Sequence, residues 1–439
     1  MFKETSKELL DFLSKSPTAF HAVENYRQIL NADGFKELLE SEHWDIVPGG
    51  KYYVTRNNTS ILAFKVGTKL DNYSFNIVTS HTDSPTFKVK ENAEIEVKNK
   101  YTQLNTEGYG GMLCATWLDR PLSIAGRVLV SEGNSIVTKL LNIDRDLLMI
   151  PNVAIHMNRA ANDGFKYNLQ VDMLPLLSAG DDRQKDFKQI LADELGVKKE
   201  DILGHDLYLY NRMAPSIWGA NEEFISAGHL DDLQCGFASL KALLAGYNDE
   251  SIDIMACFDN EEVGSGTKQG ADSTLLRDTL IRINSALGKT EEDYHRALAS
   301  SFMLSADNAH AVHPNHPEHT DATNCTYMNE GVVVKSHAGQ KYTSDGVSMA
   351  VVKALASGAD VPLQYFANRS DKAGGSTLGN IAMAQASMNA VDIGLPQLAM
   401  HSSYETAGIK DTYYAISLMK ALFDSHIQET STHSLEIKR

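Results

Sequence analysis

Little in this chain supports a disulfide-stapled, membrane-spanning or nucleic-acid-binding protein. Its four cysteines, Cys114, Cys235, Cys257 and Cys325, are scattered and form no CxxC pair. That argues against both a disulfide framework and a thiolate zinc site, and points to a reducing compartment. No stretch approaches the roughly 20 consecutive apolar residues of a membrane span. The amphipathic opening MFKETSKELLDFLSKSPTAFHAV lacks the continuous apolar core of a secretion signal. Basic residues are outnumbered, 40 against 57 acidic ones, for a formal net charge of -17, a balance that disfavours nucleic acid and anionic membranes as partners. Repeats and low-complexity tracts are also missing. The expectation from these absences is a cytoplasmic protein with no nucleic-acid or membrane partner.

What is present is an ordinary packed composition, 43% hydrophobic and 22% charged over 439 residues. That length exceeds what one core normally organises, so a main domain with a sizeable insertion is expected. Four short apolar runs have the length of buried strands, and each stops at polar, metal-ligating residues. FNIVTS leads into His81, Thr82 and Asp83; IDIMACF into Asp259, Asn260, Glu261 and Glu262; SFMLSA into Asp307; PQLAM into His401. In HLDDLQCGFASLKALLAG, Leu233, Phe237, Leu240 and Leu244 recur at helical spacing, with Asp231 near the helix start, where the dipole favours a carboxylate. Open α/β sheets bind ligands beyond the carboxyl ends of their strands, so residues distant in sequence can meet there. Between these blocks, residues 91–225 have a different texture, with alternating AEIEVK and AGRVLV and a glycine-rich GYGG. This reads as a β-rich insertion between 1–90 and 226–439.

Two histidines and three or four carboxylates without cysteine suit zinc, cobalt or manganese. The set is too large for one tetrahedral ion, and a pair of divalent ions bridged by one carboxylate would use it fully. Of the adjacent Glu261 and Glu262, one can ligate while the other accepts a proton from the attacking water. Asp83, two residues after His81, is placed to fix the imidazole tautomer. Taken singly, each element also has an ordinary reading as a solvated loop, a helix start or a satisfied buried histidine; their coincidence at five element ends favours a metal site. The segment DNAHAVHPNHPEH, with histidines at 310, 313, 316 and 319, is a second candidate for metal or for substrate contacts.

In order along the chain, SPTAFHAV, SHTDSP, TWLDRPLSIAGRV, IPNVAIHMNR, HLDDLQCGF, FDNEEVGSGTKQGA, SADNAHAVHPN and PQLAMHS resemble the aspartyl aminopeptidase family, the metallopeptidases that also include vacuolar aminopeptidase I. The resemblance covers nearly the whole chain. It implies an α/β catalytic domain, a mixed sheet flanked by helices, with an inserted β-rich dimerisation domain and dimers assembled into a dodecamer. It further implies two zinc ions per subunit, one on His81 and Asp307, the other on Glu262 and His401, with Asp231 bridging. Glu261 would be the general base and Asp83 would orient His81, while His156 would reach into a neighbouring subunit's site to stabilise the oxyanion. Where the family usually has LDN, this chain has LDD at Leu230, Asp231 and Asp232. The implied reaction is removal of the N-terminal residue from peptides with a free amino terminus. Lys335, where the resemblance places a pocket residue, and His310 are the candidate substrate contacts, with a lean toward acidic N-terminal residues. A carboxypeptidase or deacylase on the same scaffold, or a non-enzymatic assembly protein, are the alternative readings.

Overall fold

A computed structural model describes residues 1–439. Its centre is a nine-stranded mixed sheet in the order Lys36–Leu38, Lys51–Arg56, Ser60–Val66, Ser251–Phe258, Ser74–His81, Phe302–Ala306, Asn389–Gly394, Val332–Lys335 and Leu363–Phe366. The four strands Ser251–Phe258, Ser74–His81, Phe302–Ala306 and Asn389–Gly394 run parallel to one another. Ser74–His81 and Ser251–Phe258 are buried along their entire length. Burial on both faces is why they lack the apolar–polar alternation of a half-exposed strand, with polar residues such as Asn76 and Asp253 buried among the apolar ones.

Side-chain alternation along these strands divides the interior into two cores. Val78, Met255, Cys257, Phe302, Leu304, Ile61 and Ala63 face one side, where they meet the helices Phe2–Ser14, Ala19–Ala32, Leu230–Ala245, Gly346–Ala359 and Asp411–Phe423. Phe75, Ile77, Ile254, Ala256, Met303, Leu62 and Phe64 face the other, under Leu275–Ala286, Glu291–Ala299 and Leu378–Gln385. The result is helices on both faces of a mixed sheet. No helix is long and apolar enough to cross a membrane.

A second, six-stranded antiparallel sheet is built from strands between Thr86 and Asn211, ordered Ser135–Asn142, Leu122–Glu132, Ile202–Asn211, Thr86–Val97, Tyr101–Tyr109 and Leu176–Ala179. It has a core of its own, including Phe87, Trp117, Ile124, Leu207 and Phe187. Farther on, Ser216–Trp218 pairs with Phe224–Ala227 in a separate five-stranded sheet that includes Glu405–Gly408, Pro396–Leu398 and Ala309–His310.

The run before His401 differs from the other three. Pro396–Leu398 lies in this smaller sheet, paired with Ala309–His310 and Glu405–Gly408, rather than beside the central strands. His401 follows in a turn with a positive φ of 67°. Three ligand-bearing runs are therefore neighbours in one sheet, and the fourth arrives from a rim sheet over their carboxyl ends. The helix start also differs in detail. Asp231 (φ -85°, ψ 107°) and Asp232 are non-helical, so the regular helix begins after them.

Candidate active site

Where the parallel strands end, the chain turns abruptly and presents its polar residues in one place. His81 is the last residue of its strand, Asp307 follows Ala306 directly, and Glu261 and Glu262 open a short 3-10 turn just past Phe258. His81, Asp231 and Asp307 bring ligand atoms within 4.8 Å of one another, as do Asp231, Glu262 and His401, and also His81, Glu261 and Glu262. Asp231 is common to the first two trios. His81 Nε2 lies 3.5 Å from its Oδ1, and His401 Nε2 lies 3.5 Å from its Oδ2 and 3.3 Å from Glu262 Oε2.

Both imidazoles are oriented from behind. His81 Nδ1 is 3.0 Å from the Asp83 carbonyl, and His401 Nδ1 is 3.0 Å from the Gly111 carbonyl. Each carbonyl accepts the Nδ1–H, which leaves the Nε2 lone pair facing the carboxylates, the tautomer a metal ligand needs.

Burial makes this cluster costly without a cation. Asp231 Oδ1, Asp232 Oδ1 and Glu262 Oε1 have no hydrogen-bond partner, an expensive condition for a buried carboxylate. Burial, then neighbouring Asp231, pushes Glu262 well above the usual carboxylate range. Glu261 is raised to about 8, first by burial and then by like charges at Asp307, Asp83 and Asp231. Burial pushes Asp231 upward as well, but contact with His401 and His81 holds it below its ordinary value. Divalent ions between the two trios would supply the missing positive charge and the missing partners, so these residues fit a metal pair.

Asp83 does more than its position two residues from His81 suggests. The Glu261 N–H donates to its Oδ1 at 3.1 Å, while the Glu262 N–H and the Tyr109 hydroxyl donate to Oδ2 at 3.2 and 2.6 Å. One carboxylate thus ties the His81 loop to the Glu261–Glu262 turn and to the six-stranded sheet.

Several partners are not singled out by sequence reasoning. Buried Glu405 accepts the Asp231 N–H at 3.1 Å and the His401 N–H at 2.8 Å; burial and then Asp231 raise it to about 8. It sits in polar SSYETAG, with no apolar run to advertise it. Asp232 accepts the His81 N–H at 3.2 Å. Asn308 donates to the Leu230 carbonyl at 3.0 Å and to Gln397 at 2.9 Å, pinning the Asp307 turn to the helix start and the rim sheet. The GYGG segment belongs to the six-stranded sheet yet reaches the site. Gly110 has a φ of 73°, which favours glycine, and a Cβ there would press to 3.2 Å from Glu262 Cβ. Its run of glycines was the available signal.

Lys335 ends the strand Val332–Lys335, buried, with its ammonium 3.3 Å from Asp307 Oδ1 and 2.8 Å from the Asn308 carbonyl. His310 is solvent-exposed, with its ring centroid 6.1 Å from that of Phe366. His156 is not brought to this subunit's cluster. It lies exposed in the stretch that also exposes Val153, Ile155 and Met157.

Comparison with known proteins places this geometry. The family model described as Aminopeptidase I zinc metalloprotease (M18) matches residues 12–423. A protein of Clostridium novyi named probable M18 family aminopeptidase 2 is 48% identical over 425 residues, covering 95% of this chain and 98% of that one. Among solved structures, one of the Ape4 and Nbr1 complex matches with a TM-score of 0.93 at 35% identity, over 96% of this chain and 86% of the other. The S. cerevisiae mApe1 dodecamer matches with a TM-score of 0.83 at 28% identity, over 96% and 97%.

Proposed function

This chain belongs to the M18 family of aminopeptidase I zinc metalloproteases, and on that premise we propose that His81, Asp231, Glu262, Asp307 and His401 hold two divalent ions per subunit with Asp231 as the bridge. The enzyme is a zinc metalloaminopeptidase. The observation that carries the two-ion reading is the sharing of Asp231 between two separate three-ligand groups. Zinc is the ion the family description names; cobalt or manganese would suit the same donors.

Bound ions supply Lewis-acid polarisation of the scissile carbonyl and make the attacking water more acidic. The remaining chemistry belongs to the protein. Glu261 takes the proton of that water and returns it to the leaving amine. Its carboxyl is suited to both steps by position, next to Glu262 and grouped with His81. Asp83 holds Glu261 through the backbone N–H, so the base keeps its place while Glu262 beside it ligates. His81 and His401 stay in one tautomer through their carbonyl partners.

Substrate selection falls to Lys335 and His310, with a lean toward acidic N-terminal residues. The support for Lys335 is a buried cation within 3.3 Å of a ligand carboxylate; a substrate side-chain carboxylate offers it a comparable partner. Segment 91–225 is proposed as the dimerisation unit within a dodecamer, with His156 delivered to a neighbouring subunit's oxyanion. Exposed Val153, Ile155, Met157, Phe165 and Val171 support an interface there, as does the dodecameric relative. A cytoplasmic location agrees with four unpaired cysteines.

The direct test is Glu261→Gln. Turnover on aminoacyl chromogenic substrates should fall about 10²- to 10⁴-fold with metal content unchanged. Wild-type turnover in this variant would remove Glu261 from the proton transfer. A panel of acidic and apolar aminoacyl substrates, run alongside N-terminally blocked peptides, separates an aminopeptidase from a deacylase or carboxypeptidase.

A further inference from the structure

Outside the catalytic cluster, one other place gathers metal-ligating side chains. His316, Glu318 and His319 each bring a ligand atom within 4.8 Å of the others. Glu318 Oε1 lies 3.1 Å from His316 Nδ1 and 4.0 Å from His319 Nε2. The two imidazole rings stack, their centroids 5.3 Å apart and their planes 24° from parallel.

The backbone alone sets this spacing. Pro317–His319 forms a 3-10 turn with His316 as its N-cap, and the turn carries the His316 and His319 rings to one side, where they stack. The His319 N–H donates to the His316 carbonyl at 3.1 Å, and the Thr320 hydroxyl donates to the Pro317 carbonyl at 2.8 Å. From across the surface, the Arg369 guanidinium donates to the Glu318 carbonyl. The turn is therefore formed before any ligand arrives.

Charge is arranged in the same sense. The Glu318 carboxylate has no lysine or arginine partner, and its ion-pair contacts are the two histidines. Arg369, the guanidinium at hand, is committed to Asp371 at 2.9 Å. The three side chains are 58%, 58% and 63% exposed, which leaves open coordination positions for water. His313 stands beside them, but its Nδ1 accepts the Asn315 N–H at 3.2 Å, so it is not counted as a ligand.

We propose that His316, Glu318 and His319 form an accessory surface site for one transition-metal ion, separate from the catalytic cluster. Two imidazoles and a carboxylate suit Zn²⁺, and Cu²⁺ or Ni²⁺ equally well. Tetrahedral zinc with bonds of about 2.0–2.2 Å needs its ligand atoms roughly 3.3 Å apart. Contracting the longer separation takes only rotation of exposed side chains. It lies in the connection between Ala309–His310 and Val332–Lys335, and none of its three residues belongs to the proposed catalytic ligands or substrate contacts.

The test counts ions on untagged, intact enzyme. After equilibrium dialysis against zinc, elemental mass spectrometry of wild type and of a His316→Ala/His319→Ala variant should differ by one zinc per subunit, with turnover the same in both. Equal counts would overturn the proposal, and so would loss of turnover together with the missing ion, since the trio would then not be a separate site. Copper(II) added to zinc-loaded wild type should give an electron paramagnetic resonance spectrum with nitrogen splittings from two imidazoles. Glu318→Gln, which keeps the turn, should weaken that copper signal, and the double variant should lack it. Persistence of the same spectrum in the double variant would refute the site.

Discussion

Replacing Asp83 by asparagine tests whether the metal cluster is held together from behind its ligands. Four groups converge on this carboxylate: the Glu261 N–H and His81 Nδ1 at Oδ1, 3.1 and 3.5 Å away, and the Tyr109 hydroxyl and Glu262 N–H at Oδ2, 2.6 and 3.2 Å away. An amide of the same shape keeps one acceptor and turns the other into a donor. With its NH2 toward Tyr109, the Glu262 N–H loses its acceptor; with the amide reversed, the Glu261 N–H loses its own, while His81 keeps the Asp83 carbonyl. In either orientation a group attached to a proposed ligand or the base is left facing a donor. Orphaning one buried donor costs about 1–3 kcal/mol, equivalent to about 5- to 150-fold in a binding constant. In metal-buffered solutions, Asp83→Asn should need about 10- to 100-fold more free zinc for half-maximal turnover. Turnover should recover substantially at saturating zinc. An unchanged zinc dependence would refute the reasoning. So would a metal-free variant that melts many degrees below metal-free wild type, because the defect would then lie in folding rather than in ligand positioning.

Three further outcomes are expected. Lys335→Met should lower kcat/KM for Asp and Glu substrates about 10- to 100-fold, the worth of a hydrogen bond to a charged group, while sparing Leu and Met substrates; equal losses on both classes would remove Lys335 from selection. His156→Phe should be nearly inactive alone, yet regain activity when co-assembled with Glu261→Gln subunits, because these supply His156 to a site whose own Glu261 is intact; no recovery in mixed oligomers would exclude action in trans. His21 is held down to about 4 by burial, so between about 6.5 and 4 the unfolded chain binds the extra proton. Stability is then full above about 6.5 and drains as pH falls toward 4, by on the order of 1–3 kcal/mol. His21→Gln should flatten that part of the melting-temperature profile, and an unchanged slope would contradict it.

The strand ends at His81, Glu261–Glu262 and Asp307 were legible because doubly covered parallel strands are mainly apolar, with only isolated buried polar residues such as Asn76 and Asp253, so a cluster of ligand-type residues at their ends stands out. His401 was legible as a ligand type but not in its setting. Its run is equally apolar, and nothing local distinguishes a central strand from one in a rim sheet. Asp231 carried a helix-start signal that the backbone sidesteps, since its own dihedrals are not helical. The roles of Glu405, Asp232, Asn308 and the Gly111 carbonyl were invisible for a different reason. They act through hydrogen bonds that only the folded chain brings within reach, and a polar residue in a polar segment announces no partner.

The sequence by itself determined which residue types suit a metal site, the strands that deliver three of the five proposed ligands, and the family through its ordered motifs. Those are local properties, written as hydrophobic runs and the residues that end them. Only the tertiary structure decided that Asp231 is shared between two ligand groups, that both histidines present Nε2, and that Asp83 and Glu405 tie five separate segments together. It also decided that Lys335 rests against Asp307 and that His316, Glu318 and His319 converge on the surface. Those facts depend on distances between chain segments, and such distances are fixed by packing three cores and joining three sheets.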